Sequence, residues 1–210
     1  MLVEQEYTVI GTDEAGKGEW YGPLVVAGVA LTPDNTLMLR KLGVGDSKEL
    51  SSFRISEIGA VLMESEIKKD VKVLQPEYYN TVYEAFRMEK KTLNNILVWA
   101  HTEIIHNVLD NLSLKKVKVV IDKFDTSLTP PRFESLEKFD VDITQKTGGE
   151  SEPAVAAASV LAKFVFEEEV LSLSEKFGID LRNTTPEGIP PDILPLVAKL
   201  HFKNVKKALQ

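Results

Sequence analysis

YTVIGTDEAGKGEWYGPLVVAGVAL, running from Tyr7 to Leu31, reads as a strand, an acidic pair, a glycine loop and a second strand. Tyr7–Thr12 and Leu24–Leu31 have the apolar and β-branched character of strands, and Gly16, Gly18, Gly22 and Pro23 break the chain between them. Asp13 and Glu14 come directly after the first strand. Two adjacent acids point opposite ways if a strand continues through them, whereas a turn begun by Gly16 would bring both to one edge. A solvated acidic turn is the plain alternative for such a pair taken alone. In the loop Gly16-Lys17-Gly18, backbone N–H groups can come close to a phosphate or a sugar. Its spacing is neither the dinucleotide fingerprint nor a Walker loop, and a tight link between antiparallel strands explains it equally well.

Outward from this stretch the chain alternates. Ser51 or Ser52 caps a helix that runs to about Glu64, and Glu66–Leu74 alternates as a third strand. Leu93, Ile96, Leu97, Ala100, Ile104, Val108 and Leu112 recur at helical spacing, which predicts one helix from Met88 to Leu112. Val117–Ile121 is wholly apolar but for Lys118, as a strand buried on both faces requires. Val141–Thr144 is a shorter strand. Ser151 and Pro153 open a long helix through Ala154–Phe177, and a last helix spans Asp192 to Leu209. The expectation is an α/β fold: one domain over residues 1–210 with a mixed five-stranded sheet flanked by helices, helical from about residue 178 onward.

Further acids fall at the ends of these elements. Asp122 ends the buried strand, at the carboxyl edge where open α/β sheets bind ligands; a cap or turn role is its alternative. Glu150 and Glu152 precede the alanine-rich helix, where a negative charge is also favourable simply against the helix dipole. Several carboxylates converging without a neutralising base repel one another. Bound divalent cations resolve that, and an all-oxygen set suits Mg²⁺ or Mn²⁺ rather than zinc. Two such ions form the usual clamp for phosphodiester hydrolysis. Asp46-Ser47-Lys48 is a second polar cluster before a helix start, read either as a cap or as a phosphate contact through Lys48. His101, His106 and His201 match no metal or triad spacing and are expected to be structural.

Composition sets the outer bounds. The 210 residues are 43% hydrophobic and 27% charged, an ordinary globular composition. Cysteine is absent, which excludes disulfides, thiolate catalysis and Cys-ligated metals. The first residues carry no secretory signal, and the apolar run Pro23–Leu31 is too short to cross a bilayer, so a soluble cytoplasmic protein is expected. The net charge of −7 opposes non-specific gripping of nucleic acid over the whole surface. Locally, though, Lys199, Lys203, Lys206 and Lys207 make a basic stretch on the last helix, either a solvated face or a backbone contact.

Four motifs taken in order resemble the type 2 ribonucleases H, the group of ribonucleases HII and HIII. They are GTDEAGKGEWYGPLVVAGVAL (Gly11–Leu31), GDSKEL (Gly45–Leu50), VIDKF (Val120–Phe124) and ESEPAVAAASVLAKF (Glu150–Phe164). The resemblance implies the ribonuclease H fold and endonucleolytic cutting of the RNA strand in RNA/DNA hybrids, with two Mg²⁺ or Mn²⁺ ions and 3′-hydroxyl and 5′-phosphate products. It implies that Asp13, Glu14, Asp122 and Glu150 are both catalytic and metal-binding, with Glu152 the alternative for the fourth acid. It further implies that Gly16, Lys17 and Gly18 contact the substrate backbone, with Ser47 and Lys48 as further substrate contacts.

Within the group, WAHTEII on the long helix and AKLHFKNVKKAL at the C-terminus resemble ribonuclease HIII. Ribonuclease HII reads a ribonucleotide junction with a C-terminal tyrosine, and the five tyrosines here all lie at or before Tyr83. The chain resembles a HIII catalytic domain without the usual N-terminal binding domain. It is expected to act as a monomer on hybrid, with no membrane and no obligate protein partner. The competing expectation is a hybrid-binding protein of the same fold with little or no turnover.

Overall fold

Strand β1 (Thr8–Ala15) is the middle member of a five-stranded sheet ordered β3-β2-β1-β4-β5. The computed structural model describes residues 8–44, 50–112, 117–122, 141–146 and 151–210. β2 (Leu24–Leu31) pairs antiparallel with β1, and β3 (Lys69–Leu74) pairs antiparallel with β2. On the other side, β4 (Val117–Asp122) and β5 (Val141–Lys146) run parallel to β1. The mixed sheet agrees with the sequence reading. All eight residues of β2 are buried, because helices cover both faces of the sheet.

Alternation along β1 sorts its side chains between two layers. Val9 packs with α5 (Pro153–Phe177), while Ile10 packs with Ala100, Ile104 and Val108 of α4 (Leu93–Asp110). Each fully buried aliphatic side chain in these layers stabilises the fold by about 1.5–3 kcal/mol. α5 is held unusually close. A Cβ built on Gly11 would lie 2.1 Å from the carbonyl carbon of Ala154, so only glycine lets the helix backbone rest on the strand. Ala154, Ala156, Ala157 and Ala158 are all buried, and their small side chains permit the same approach along the next turn. α1 (Pro33–Lys41) and α2 (Ser52–Glu64) lie on the α5 side, and Ser51 Oγ accepts from the Arg54 amide to cap α2.

The structure corrects several boundaries. β1 runs on to Ala15, so Asp13 and Glu14 sit inside the strand and not in a turn after it. β3 begins at Lys69, and β5 extends to Lys146. The helix expected over Met88–Leu112 is shorter, and a separate, unanticipated helix precedes it. α3 (Pro76–Met88) ends at Met88, Lys90 takes a left-handed φ of 59°, and α4 starts after Thr92. The Thr92 amide donates to Asn95 Oδ1 at 2.9 Å, a start signal that the apolar periodicity masks. The helix expected from Asp192 to Leu209 is also broken, into α6 (Leu194–Val197) and α7 (Lys203–Ala208). Between them Ala198 is extended and bridges to Tyr21, because backbone pairing with the glycine loop outcompetes helix continuation. Among the described residues, no helix is long and apolar enough to cross a membrane.

Candidate functional site

The carboxyl end of β1 carries the acidic pair. Continuous strand geometry sends Asp13 to the α5 side, with Gly11, and Glu14 to the α4 side, with Thr12. Asp13 Oδ1 accepts from the Glu14 amide at 2.9 Å. β4 is in register with β1 up to the pair Thr12↔Ile121, so Asp122 comes one step further on, at the end of its own strand and level with Asp13. The sheet thus assembles three of the four expected acidic positions at one edge. Glu150 lies outside the described residues, as do Ser47 and Lys48. Glu152 precedes α5 as its N-cap residue and makes no side-chain capping bond.

Glu14 is the most constrained of these groups. Its side chain is only 10% exposed. Lys17 Nζ donates to Oε1 at 2.9 Å, and His101 Nε2 lies 3.3 Å from Oε2. Burial by itself would raise the Glu14 pKa, but the bonds and charges of His101 and Lys17 outweigh it and hold the carboxyl at about 2. Glu14 is therefore an anion throughout the neutral range. An anionic carboxylate only accepts, so His101 Nε2 must carry a proton and donate it. The other ring nitrogen, Nδ1, lies 2.9 Å from Thr12 Oγ1. His101 and Thr12 are both fully buried.

The sequence reading made His101 structural, whereas the structure joins it to Glu14. The signal was present: His101 falls on the apolar stripe of α4 with Leu97, Ala100 and Ile104, and a polar group there needs a partner.

Sequence reasoning also missed what holds the glycine loop. Gly16 has φ of 80° and a Cβ there would lie 2.3 Å from the Pro23 carbonyl oxygen, so the turn is closed to other residues. Gly18, in contrast, has nothing within 4 Å of a Cβ position, which leaves its approach open. Lys199 was expected in a basic stretch of the last helix, as part of a solvated face or a backbone contact. It is instead fully buried, and its Nζ donates to the carbonyls of Glu19 and Tyr21 at 2.9 and 2.8 Å. Its amide donates to Trp20 O, and Val197 O accepts from Gly22. Asn80 of α3 clasps this segment in turn, donating to Ala198 O and accepting from the Leu200 amide.

Among the described residues, no group of three or more His, Cys, Asp or Glu side chains gathers as a metal cage. What is described fits a hard divalent cation. Both side chains, Asp13 and Glu14, are oxygen donors and Glu14 is ionised. The imidazole beside Glu14 has both nitrogens occupied.

The ribonuclease HII family profile matches residues 10–204. This chain belongs to the type 2 ribonuclease H family. Ribonuclease HIII of Streptococcus pneumoniae (strain P1031) is 33% identical over 97% of the chain and 73% of its own length. The crystal structure of Bst-RNase HIII in complex with Mn²⁺ superposes with a TM-score of 0.80 at 28% identity, over 97% of this chain and 69% of that one. RNase H3 of Aquifex aeolicus superposes at 0.74 with 26% identity, over 93% of this chain and 72% of that one. The five-stranded sheet, its flanking helices and the helical C-terminal part are those of the ribonuclease HIII and HII structures. As a type 2 ribonuclease H the chain is a hydrolase.

Proposed function

We propose that this chain cuts the RNA strand of RNA/DNA hybrids endonucleolytically, using two Mg²⁺ or Mn²⁺ ions and leaving 3′-hydroxyl and 5′-phosphate ends. One observation carries the reading: Asp13 and Glu14 stand near the carboxyl end of β1, Asp13 level with Asp122 at the end of β4, and the glycine loop leaves the same strand. In this reading Asp13, Glu14, Asp122 and Glu150 hold the ions. When bound, the ions supply activation of the attacking water and neutralisation of the charge developing on the leaving oxygen.

The rest is the work of the chain itself. Glu14 is kept anionic by His101 and Lys17, so it needs no deprotonation before it serves as a ligand. Lys17 is 37% exposed, and its ammonium can turn from Glu14 to a phosphate of the hybrid. Gly16 sets the loop's turn, and the open side of Gly18 admits a sugar-phosphate backbone closely enough for backbone amides to meet it. Ser47 and Lys48 add phosphate contacts. Residues 1–210 work as one catalytic unit and as a monomer.

End analysis of a labelled hybrid tests the chemistry. The expected fragments are extendable by a polymerase at their 3′ ends and ligatable at their 5′ ends. Cyclic phosphate ends would refute the mechanism. Tight hybrid binding with no cutting in either metal would replace it with a binding protein of the same fold.

A further inference from the structure

We propose that His101 is a positioning residue for this reaction: from inside the α4 layer it holds the Glu14 carboxylate in its working orientation, and Thr12 holds the ring. The inference rests on Glu14 being an ion ligand and adds a residue whose part in the site comes from the geometry alone.

Three observations carry it. First, His101 and Thr12 are fully buried beside an apolar layer that includes Ile10, Ala100, Ile104 and Ile121. An apolar side chain would fill that space without the cost of burying polar groups, so the pair is there for the bonds it makes. Second, the bonds form one directed chain. Thr12 and Glu14 are two residues apart on one face of β1, and the ring spans them at 2.9 and 3.3 Å. Nε2–H donates to the carboxylate, while the Thr12 hydroxyl can give or take a hydrogen bond and so satisfies Nδ1 in either state. Third, Lys17, which pairs with the other carboxylate oxygen of Glu14 at 2.9 Å, stands on the glycine loop with 37% of its side chain exposed. His101 is the partner anchored in a helix. A glutamate has three rotatable bonds, and a supporting bond of this kind fixes which oxygen faces the ion.

The test uses two variants that divide the ring's functions. The amide nitrogen of His101→Gln stands near the position of Nε2, and that of His101→Asn near Nδ1. Isothermal titration of substrate-free protein with Mn²⁺ reads the ligand directly, and kcat and KM on a hybrid read the consequence. For His101→Asn, Mn²⁺ affinity and kcat are expected to fall about 10–100-fold with KM near wild type, the range seen when a metal ligand loses its supporting partner. His101→Gln is expected to retain both within about threefold. If the two variants lose affinity equally, in step with a lowered Tm, or if both keep wild-type affinity, the proposal is overturned. Should His101→Asn not fold, Thr12→Val frees the ring while keeping the side chain's shape, and it is expected to weaken Mn²⁺ binding; unchanged affinity overturns the proposal. Asp13→Asn separates the two levels. If it leaves Mn²⁺ affinity intact, the ion site itself is misread; if it abolishes binding while His101→Asn does not, only the role of His101 falls.

Discussion

Gly11 of β1 and Ala154 of α5 meet backbone to backbone, with only 2.1 Å between a Cβ built on the glycine and the Ala154 carbonyl carbon. That contact ties the strand bearing Asp13 to the helix start that follows Glu150 and Glu152. Neither side can yield cheaply, because both are main chain in regular structure. Gly11→Ala is expected to cost about 3 kcal/mol, at the upper end for overpacking, and to lower Tm by about 6–12 °C for a chain of this size. Calorimetry checks this, and a Tm within two degrees of wild type would contradict the close packing.

Lys199 predicts a pH signature. Burial pulls its pKa from 10.5 down to about 7, against the opposing charge of Glu19. Its other facing groups stay neutral across the window. His201 is pulled to about 4 by burial, Lys199 and Lys206, and burial raises the phenol of Tyr79. Between pH 7 and 10.5 the unfolded chain binds this proton and the folded chain does not, so folding is progressively favoured as pH rises. Below pH 7 both states hold the proton, and the contribution is constant. Relative to Lys199→Met, wild-type stability should therefore climb by up to about 1.4 kcal/mol per pH unit from pH 7 to 9. Parallel denaturation curves for the two proteins across that range would contradict it. The variant should also bind hybrid less well, since the Glu19 and Tyr21 carbonyls lose their donor.

The two predictions bear on what could be read in advance. The strand pairs and the alanine helix were legible because their patterns are local: Leu24–Leu31 and Val117–Ile121 are apolar runs, and Pro153 marks a helix start. That Asp13 and Asp122 fall at one edge of the sheet was legible because each follows such a run, whereas the continuation of β1 through Glu14 to Ala15 was not. Lys199 was misread because its local sequence is basic and helical in period, while its partners, Glu19 and Tyr21, lie far away in sequence. His101 was missed for the same reason, its partner strand being about ninety residues upstream. α3 escaped because its buried face is aromatic, with Tyr79 stacked on Tyr83 and both against His201, rather than an aliphatic stripe.

The fourth acid is decided by separate substitutions. Glu150→Gln should remove hybrid cleavage, while Glu152→Gln, a change at the helix N-cap position, should leave kcat near wild type and lower stability slightly. Loss of activity that follows Glu152 would reassign the ligand.

A duplex with a single embedded ribonucleotide should be a poor substrate. Tyr79 and Tyr83 are engaged with His201, and no tyrosine occurs beyond Tyr83 to stack at the junction. Cleavage should be slower than on a continuous hybrid by about tenfold or more, the worth of one stacking contact. Equal rates on the two substrates would refute this reading.

The most direct measurement compares wild type with Asp13→Asn on one labelled RNA/DNA hybrid, in Mg²⁺, in Mn²⁺ and with a chelator, alongside circular dichroism of both proteins. Wild type should cut only the RNA strand and only with metal. The variant should keep its fold yet lose more than about a hundredfold in rate, beyond the effect of losing a mere supporting partner. Undiminished cutting by the folded variant, or cutting by wild type in the chelator, would contradict the account.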